Sequence, residues 1–182
     1  TRKSIEELAE ENVDWMVEQC QKYKPTKIHF VTHSLGGLVL RIYLKNNKLP
    51  NLGRIVMLAP PNHGSQLADL FHHNILYQIF AGPAGQELTT DQSSVPNAFN
   101  KPVKYQVGVI AGNFSYSPFK RIIFHEENDG KVAVSSTRIA GMKDFIVLPV
   151  SHMFMVKNPL VIQEVSCFLK KGAFDKELVK AS

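Results

Sequence analysis

The sequence contains only two cysteines, Cys20 and Cys167. That is too few for a disulfide framework, and both fall in helix-like segments where a buried free thiol is the ordinary state. No CxxC or HExxH spacing occurs, so no metal site is expected. No apolar run approaches the ~20 residues of a membrane-spanning helix. The longest runs are Phe145–Val150 and Ile55–Pro61. Glycine (11) and proline (10) are too sparse for collagen-like or low-complexity chain. Basic residues never gather five or six together, so the net charge of +5 reads as a solvated surface and nucleic-acid binding is not expected. Lys170, Lys171, Lys176 and Lys180 give the last residues only a weak bias toward an anionic membrane surface. Thr1–Glu11 is charged and helix-like, unlike a signal peptide.

What is present fits one domain with a real core: 182 residues, 44% hydrophobic and 20% charged. Ser4 and Glu7 form a capping-box pattern ahead of Ile5, Leu8, Val13, Met16, Val17 and Cys20, which predicts a helix over 4–22 ended by Pro25. Lys27–Thr32, Arg54–Ala59, Tyr105–Ala111 and Phe145–Val150 are short, apolar and β-branched, and read as strands. Leu35–Leu44 is apolar nearly all round, and Pro159–Leu169 is helical with Gly172 as its stop. Ser65–Phe80 is helical with a stripe of Leu67, Leu70, Phe71, Ile75 and Ile79. Such a stripe reads first as core packing and alternatively, within 65–102, as a lid or pocket insertion. Strands apolar on both faces and separated by helices predict an α/β fold with a mostly parallel sheet flanked by helices.

In such sheets chemistry gathers at the carboxyl ends of strands. Ser34, in V-T-H-S-L-G-G, sits between an apolar strand and an apolar helix, the context of a nucleophile elbow. The G-x-S-x-G pattern is met as T-x-S-x-G. Thr32 stands where a glycine is usual, and a β-branched residue there is expected to add strain. A hydroxyl needs a base. Among the seven histidines, His152 falls just after the fourth strand, at the edge where Ser34 lies. His29 is mid-strand, and His33 is expected to point away from the serine. Asp69, Asp91, Asp129 and Asp144 lie between nucleophile and base in sequence. Asp129, in E-N-D-G-K-V after the third strand, is the best placed to orient the base, though Asp-Gly also simply makes a tight turn. Asp144 sits at the amino end of the fourth strand, on the wrong edge.

With these positions the chain resembles the lipase and esterase branch of the α/β-hydrolase superfamily. V-T-H-S-L-G-G-L-V is similar to its elbow and helix, and L-A-P-P-N-H-G-S to a segment that many bacterial lipases carry after the next strand. N-D-G-K-V-A-V resembles the acid loop and V-S-H-M-F the histidine loop. The resemblance implies a Ser34–Asp129–His152 triad and an oxyanion donor at the Leu35 N–H. It implies cleavage of carboxylic esters through an acyl-enzyme, with a small acyl ester or lipid as substrate. No metal or organic cofactor is expected. His33, Pro61 and His63 are expected to line the pocket. A thioesterase or acyltransferase would use the same residues.

The family also has strands ahead of the nucleophile strand, and a loop there supplies the second oxyanion donor. Residues 1–26 contain no glycine and no strand pattern. The expectation is therefore a single domain lacking its amino-terminal strands, with the second donor absent from this chain. On that expectation the 182 residues alone are a poor and unstable esterase, and the compartment stays open between cytoplasm and secretion. A function of another class, a non-catalytic interaction module with an exposed sheet edge, would follow from the same incompleteness.

Overall fold

Residues 5–64, 102–116 and 126–177 are described by the structure, a computed structural model. Ser4 of the capping box and nearly all of the lid or pocket segment, 65–102, lie outside them. Four strands form one parallel sheet in the order β1 (Ile28–His33), β2 (Leu52–Leu58), β3 (Val107–Gly112) and β4 (Asp144–Leu148). All four carboxyl ends therefore share one edge. Each strand begins and ends within about two residues of its sequence-predicted run, the usual slack at element ends.

Side chains alternate across the sheet and feed two cores. Ile55 and Met57 of β2, with Val107 and Val109 of β3, pack with Leu38 and Ile42 on one face. Val56, Leu58 and Ile110 pack with Val161 and Phe168 on the other. β3 is buried at every residue, as a central strand covered on both faces should be. β1 departs from the expectation of burial on both faces. It pairs only with β2 among the described residues, and Val31 is 50% exposed.

The first helical segment is continuous but not uniform. α1 (Ile5–Leu8) runs through a π-helical turn at Ala9–Val13 into α2 (Asp14–Gln21). Ile5, Ala9, Val13 and Val17 form its buried stripe, and Cys20 falls off that stripe and is exposed. Cys167 is half-buried beside the stripe of the last helix, so the expectation of two buried thiols fails for both, though both are free. α3 (Gly36–Asn46) follows β1 directly and buries Leu38, Leu40, Arg41, Ile42 and Tyr43.

The last helix, α4 (Pro159–Lys171), starts on an Asn158 cap whose Oδ1 accepts from the Leu160 and Val161 N–H groups, and Pro159 stands at its first turn. It runs two residues past the sequence expectation and stops at Gly172, whose φ of 77° is the left-handed conformation glycine adopts without penalty. Val161, Glu164 and Phe168 face inward. Burying Phe168 alone is worth about 1.5–3 kcal/mol. No helix among the described residues is long and apolar enough to cross a membrane.

Candidate active site

β1 delivers Ser34 to the carboxyl edge. The Ser34 N–H still donates to the Leu58 carbonyl at 2.8 Å, continuing the β1–β2 ladder, but its φ is +54°. A non-glycine residue there is strained. The turn passes at once into α3, with Gly37 donating to the Ser34 carbonyl at 3.0 Å. The Leu35 N–H, at the head of α3, has no acceptor among the described residues.

The anticipated crowding at Thr32 is absent. A Cβ built on Gly36 would stand 3.7 Å from the Thr32 Cβ, an ordinary contact. The tight position is Gly37, where a Cβ would come within 2.9 Å of the Pro60 Cβ. Thr32 therefore fits, although its buried Oγ1 has no hydrogen-bond partner.

His152 lies in the loop after β4 and is 4% exposed. Its Nε2 is 3.0 Å from the Ser34 Oγ, and its Nδ1 is 2.7 Å from the Asp129 Oδ2. A carboxylate only accepts, so Nδ1 carries the proton. Nε2 then presents its lone pair to the serine O–H. Asp129 is 2% exposed and divides its oxygens. Oδ1 accepts from the Lys131 N–H at 3.0 Å and the Val132 N–H at 2.8 Å, which closes the Asp-Gly turn. Oδ2 is left for the histidine. One Asp129 oxygen thus closes the turn and the other meets the His152 ring. The His152 N–H also donates to the Asp129 carbonyl at 3.0 Å, so the two loops are tied by main chain as well.

Asp144 stands at the opposite edge, paired in register with Gly108. Its carboxylate is taken by the Phe145 and Phe174 N–H groups and by Lys176. Burial pushes its pKa up, but those hydrogen bonds and the Lys176 charge win and hold it below the ordinary value. His29 is exposed and accepts from the Arg54 N–H. Asp69, Asp91, His72, His73 and His125 lie outside the described residues.

His33, expected to point away from the serine and to line the pocket, meets the loop of His152. It is the last residue of β1, and its Nε2 lies 3.1 Å from the His152 carbonyl oxygen, with the two rings 4.7 Å apart. Pro61 is buried, while His63 is exposed and its N–H donates to the Ser136 carbonyl.

Two residues that sequence reasoning passed over hold this segment in place. Asn62, 1% exposed, accepts from the Arg41 Nη1 at 2.8 Å and donates to the Thr137 carbonyl at 2.8 Å. Ser136 Oγ donates to the Gly64 carbonyl. The segment after β2 is thus pinned to the residues that follow the acid loop. An Asn inside the apolar L-A-P-P-N-H-G run was the available signal, because a buried amide must find partners. Burial lowers the Arg41 pKa from its ordinary value.

Beside His152 lies an apolar rim. Met153 (64% exposed), Phe154 (61%) and Val156 (44%) follow it in sequence, and Phe114 (42%) and Tyr116 (74%) come from the end of β3. Tyr116 packs edge-on against both Phe114 and Phe154, at 4.8 and 6.0 Å.

The family described as "Domain of unknown function (DUF7379)" matches residues 3–115. The chain belongs to this family. No curated protein matches it in sequence. Among solved structures, it is similar to the mature form of the Bacillus licheniformis lipase BlEst2, at 20% identity and a TM-score of 0.72, over 94% of this chain and 75% of that one. It is similar to phospholipase PlaB of Legionella pneumophila, at 20% identity and a TM-score of 0.66, over 98% of this chain and 51% of that one. The metagenomic carboxyl esterase MGS0156 gives 20% identity and a TM-score of 0.61, over 85% and 52%. The DUF7379 chain thus spans about half the length of the latter two. These likenesses, with the parallel sheet and its flanking helices, show the α/β-hydrolase fold.

Proposed function

We propose that the chain hydrolyses carboxylic esters through an acyl-enzyme on Ser34, with His152 as base and Asp129 as the group that orients it. One observation carries the reading. Three residues far apart in sequence meet in an unbroken line, Oγ to Nε2 at 3.0 Å and Nδ1 to Oδ2 at 2.7 Å, with the serine on a strained turn at the carboxyl edge.

In the mechanism, His152 Nε2 takes the Ser34 proton as Oγ attacks the ester carbonyl. The imidazolium so formed is stabilised by the Asp129 carboxylate. The tetrahedral oxyanion is placed toward the Leu35 N–H, at the positive end of the α3 dipole. As the intermediate collapses, His152 returns its proton to the departing alcohol. A water molecule, deprotonated by the same nitrogen, then releases the acid and restores Ser34. Among the described residues Leu35 supplies one oxyanion donor.

The aromatic rim favours an ester with an apolar acyl chain, including lipid esters, over a small polar one. The reading is tested with p-nitrophenyl esters of rising acyl length on the protein and on Ser34→Ala. Turnover should fall on the order of 10⁴-fold or more in the variant, with folding intact. Retention of most activity by pure Ser34→Ala overturns it.

A further inference from the structure

The reading above leaves His33 without a task, yet it is the side chain that joins the nucleophile strand to the base loop. It precedes Ser34 directly, and its Nε2 lies 3.1 Å from the His152 carbonyl oxygen. A carbonyl only accepts, so His33 carries its proton on Nε2. Its ring also lies against the His152 ring, tilted by 44°. His152 is thereby held at four points. Its N–H is held by the Asp129 carbonyl, its Nδ1 by the Asp129 carboxylate, and its carbonyl and ring face by His33. The Asp129 contacts fix the imidazole relative to the acid loop. Through His33, the base loop is fixed relative to the serine itself.

We propose that His33 is a positioning residue that sets the distance between Ser34 and His152, by donating from Nε2 to the main chain of the histidine loop. The proposal rests on the hydrolase reading. The groups facing His33 are His152, Asp129 and Lys131, and burial first, then the neighbouring His152, lowers its pKa below the ordinary histidine value. That lowering favours the neutral ring, which puts no like charge beside the imidazolium formed on His152 in the proposed mechanism.

A nucleophile–base misplacement near 1 Å costs on the order of 10²-fold in rate. His33→Phe keeps a ring and loses the donor, and His33→Gln restores a donor at nearly the same reach. In His33→Phe, kcat should fall ~10–10²-fold with KM changed less than about twofold, and His33→Gln should recover most of that loss. Independently of turnover, the ¹⁵N spectrum of the imidazoles should show His33 protonated at Nε2 and bare at Nδ1. Amide exchange of Ser151–Phe154 should be faster in His33→Phe than in His33→Gln.

An unchanged kcat in His33→Phe overturns the proposal. So does His33→Gln as slow as His33→Phe when both melt like the wild type, and so does an Nδ1–H tautomer. Wild-type protein without Ser34-dependent turnover would sink the hydrolase reading instead, while the tautomer and exchange measurements still decide for or against His33.

Discussion

Gly112, the last residue of β3, is the position where a single methyl group should damage both stability and catalysis. A Cβ there would stand 2.3 Å from the Val150 carbonyl oxygen, 2.9 Å from the Asp129 Cβ and 3.1 Å from the Met155 Cε. The methionine can swing aside, but the carbonyl cannot, because it is main chain and accepts from the Phe114 N–H at 3.3 Å. An ordinary contact requires about 1 Å of retreat by Val150, by the Asp129 loop or by both, and these are the two segments that carry His152 and Asp129, the proposed base and acid. Overpacking of this kind costs about 1–3 kcal/mol. For a chain of this size each kcal/mol lowers Tm by roughly 2–4 °C. Displacing Asp129 or His152 by a comparable distance should cost ~10²-fold in ester turnover. Gly112→Ala should therefore melt several degrees low and, at temperatures where it is fully folded, turn over slowly. Gly36→Ala is the control, since its Cβ meets only the Thr32 Cβ at 3.7 Å. Thermal melts and ester turnover on both variants decide the matter. A Gly112→Ala protein as stable and as active as the wild type would refute the reasoning.

Asp129→Asn should lose on the order of 10⁴-fold in kcat by upsetting the His152 tautomer, whereas Asp144→Asn should keep near-wild-type kcat. The reverse ranking would transfer the acid role to Asp144. Asp144 has a depressed folded pKa, so its contribution to stability is present above its unfolded value near ~3.9 and is lost as pH falls through the folded one. The Tm loss of Asp144→Asn should accordingly be larger at pH 7 than at pH 3. Glu164 is 0% exposed, one of its oxygens has no partner, and burial raises its pKa. A raised carboxyl pKa favours folding below the unfolded value and loses that benefit as pH rises through the folded one. Glu164→Gln, which can still accept from the Asp175 N–H, should therefore raise Tm at pH 8 and change it little at pH 4; a lower Tm at pH 8 would contradict this.

The strands and the candidate triad were legible because they rest on period and order. β-branched runs of five to seven residues, each followed by helix or loop, leave few arrangements other than a covered parallel sheet, and the carboxyl-end rule then selects Ser34 and His152. Asp129 was separable from Asp144 for the same reason, since the first follows a strand and the second begins one. What period and order do not carry is side-chain reach. His33 was expected to point away from the serine because it sits beside it on the elbow, and its reach to the His152 main chain was not foreseen. The left-handed turn at Ser34 lets both side chains meet His152. The polar bracing by Asn62, Arg41 and Ser136 was hidden for a similar reason. Its partners are main-chain carbonyls of Thr137 and Gly64, and their position depends on the loops having already folded.

Thr32 shows how a departure from a sequence pattern can be neutral in space. The G-x-S-x-G rule demands small residues two before and two after the serine because helix and strand approach closely at the elbow. Here the closest approach falls one residue further on, at Gly37, where the wall is Pro60 from the end of β2 rather than Thr32 from β1. Pro60 begins the P-P-N-H-G segment, and that segment is held down by Asn62 between Arg41 of α3 and the Thr137 carbonyl. The brace lets α3 sit against β2 with Gly37 at the contact, and Gly36 keeps room for a β-branched neighbour. The strain at the elbow then falls on the φ of Ser34 itself, the half-buried residue proposed as nucleophile.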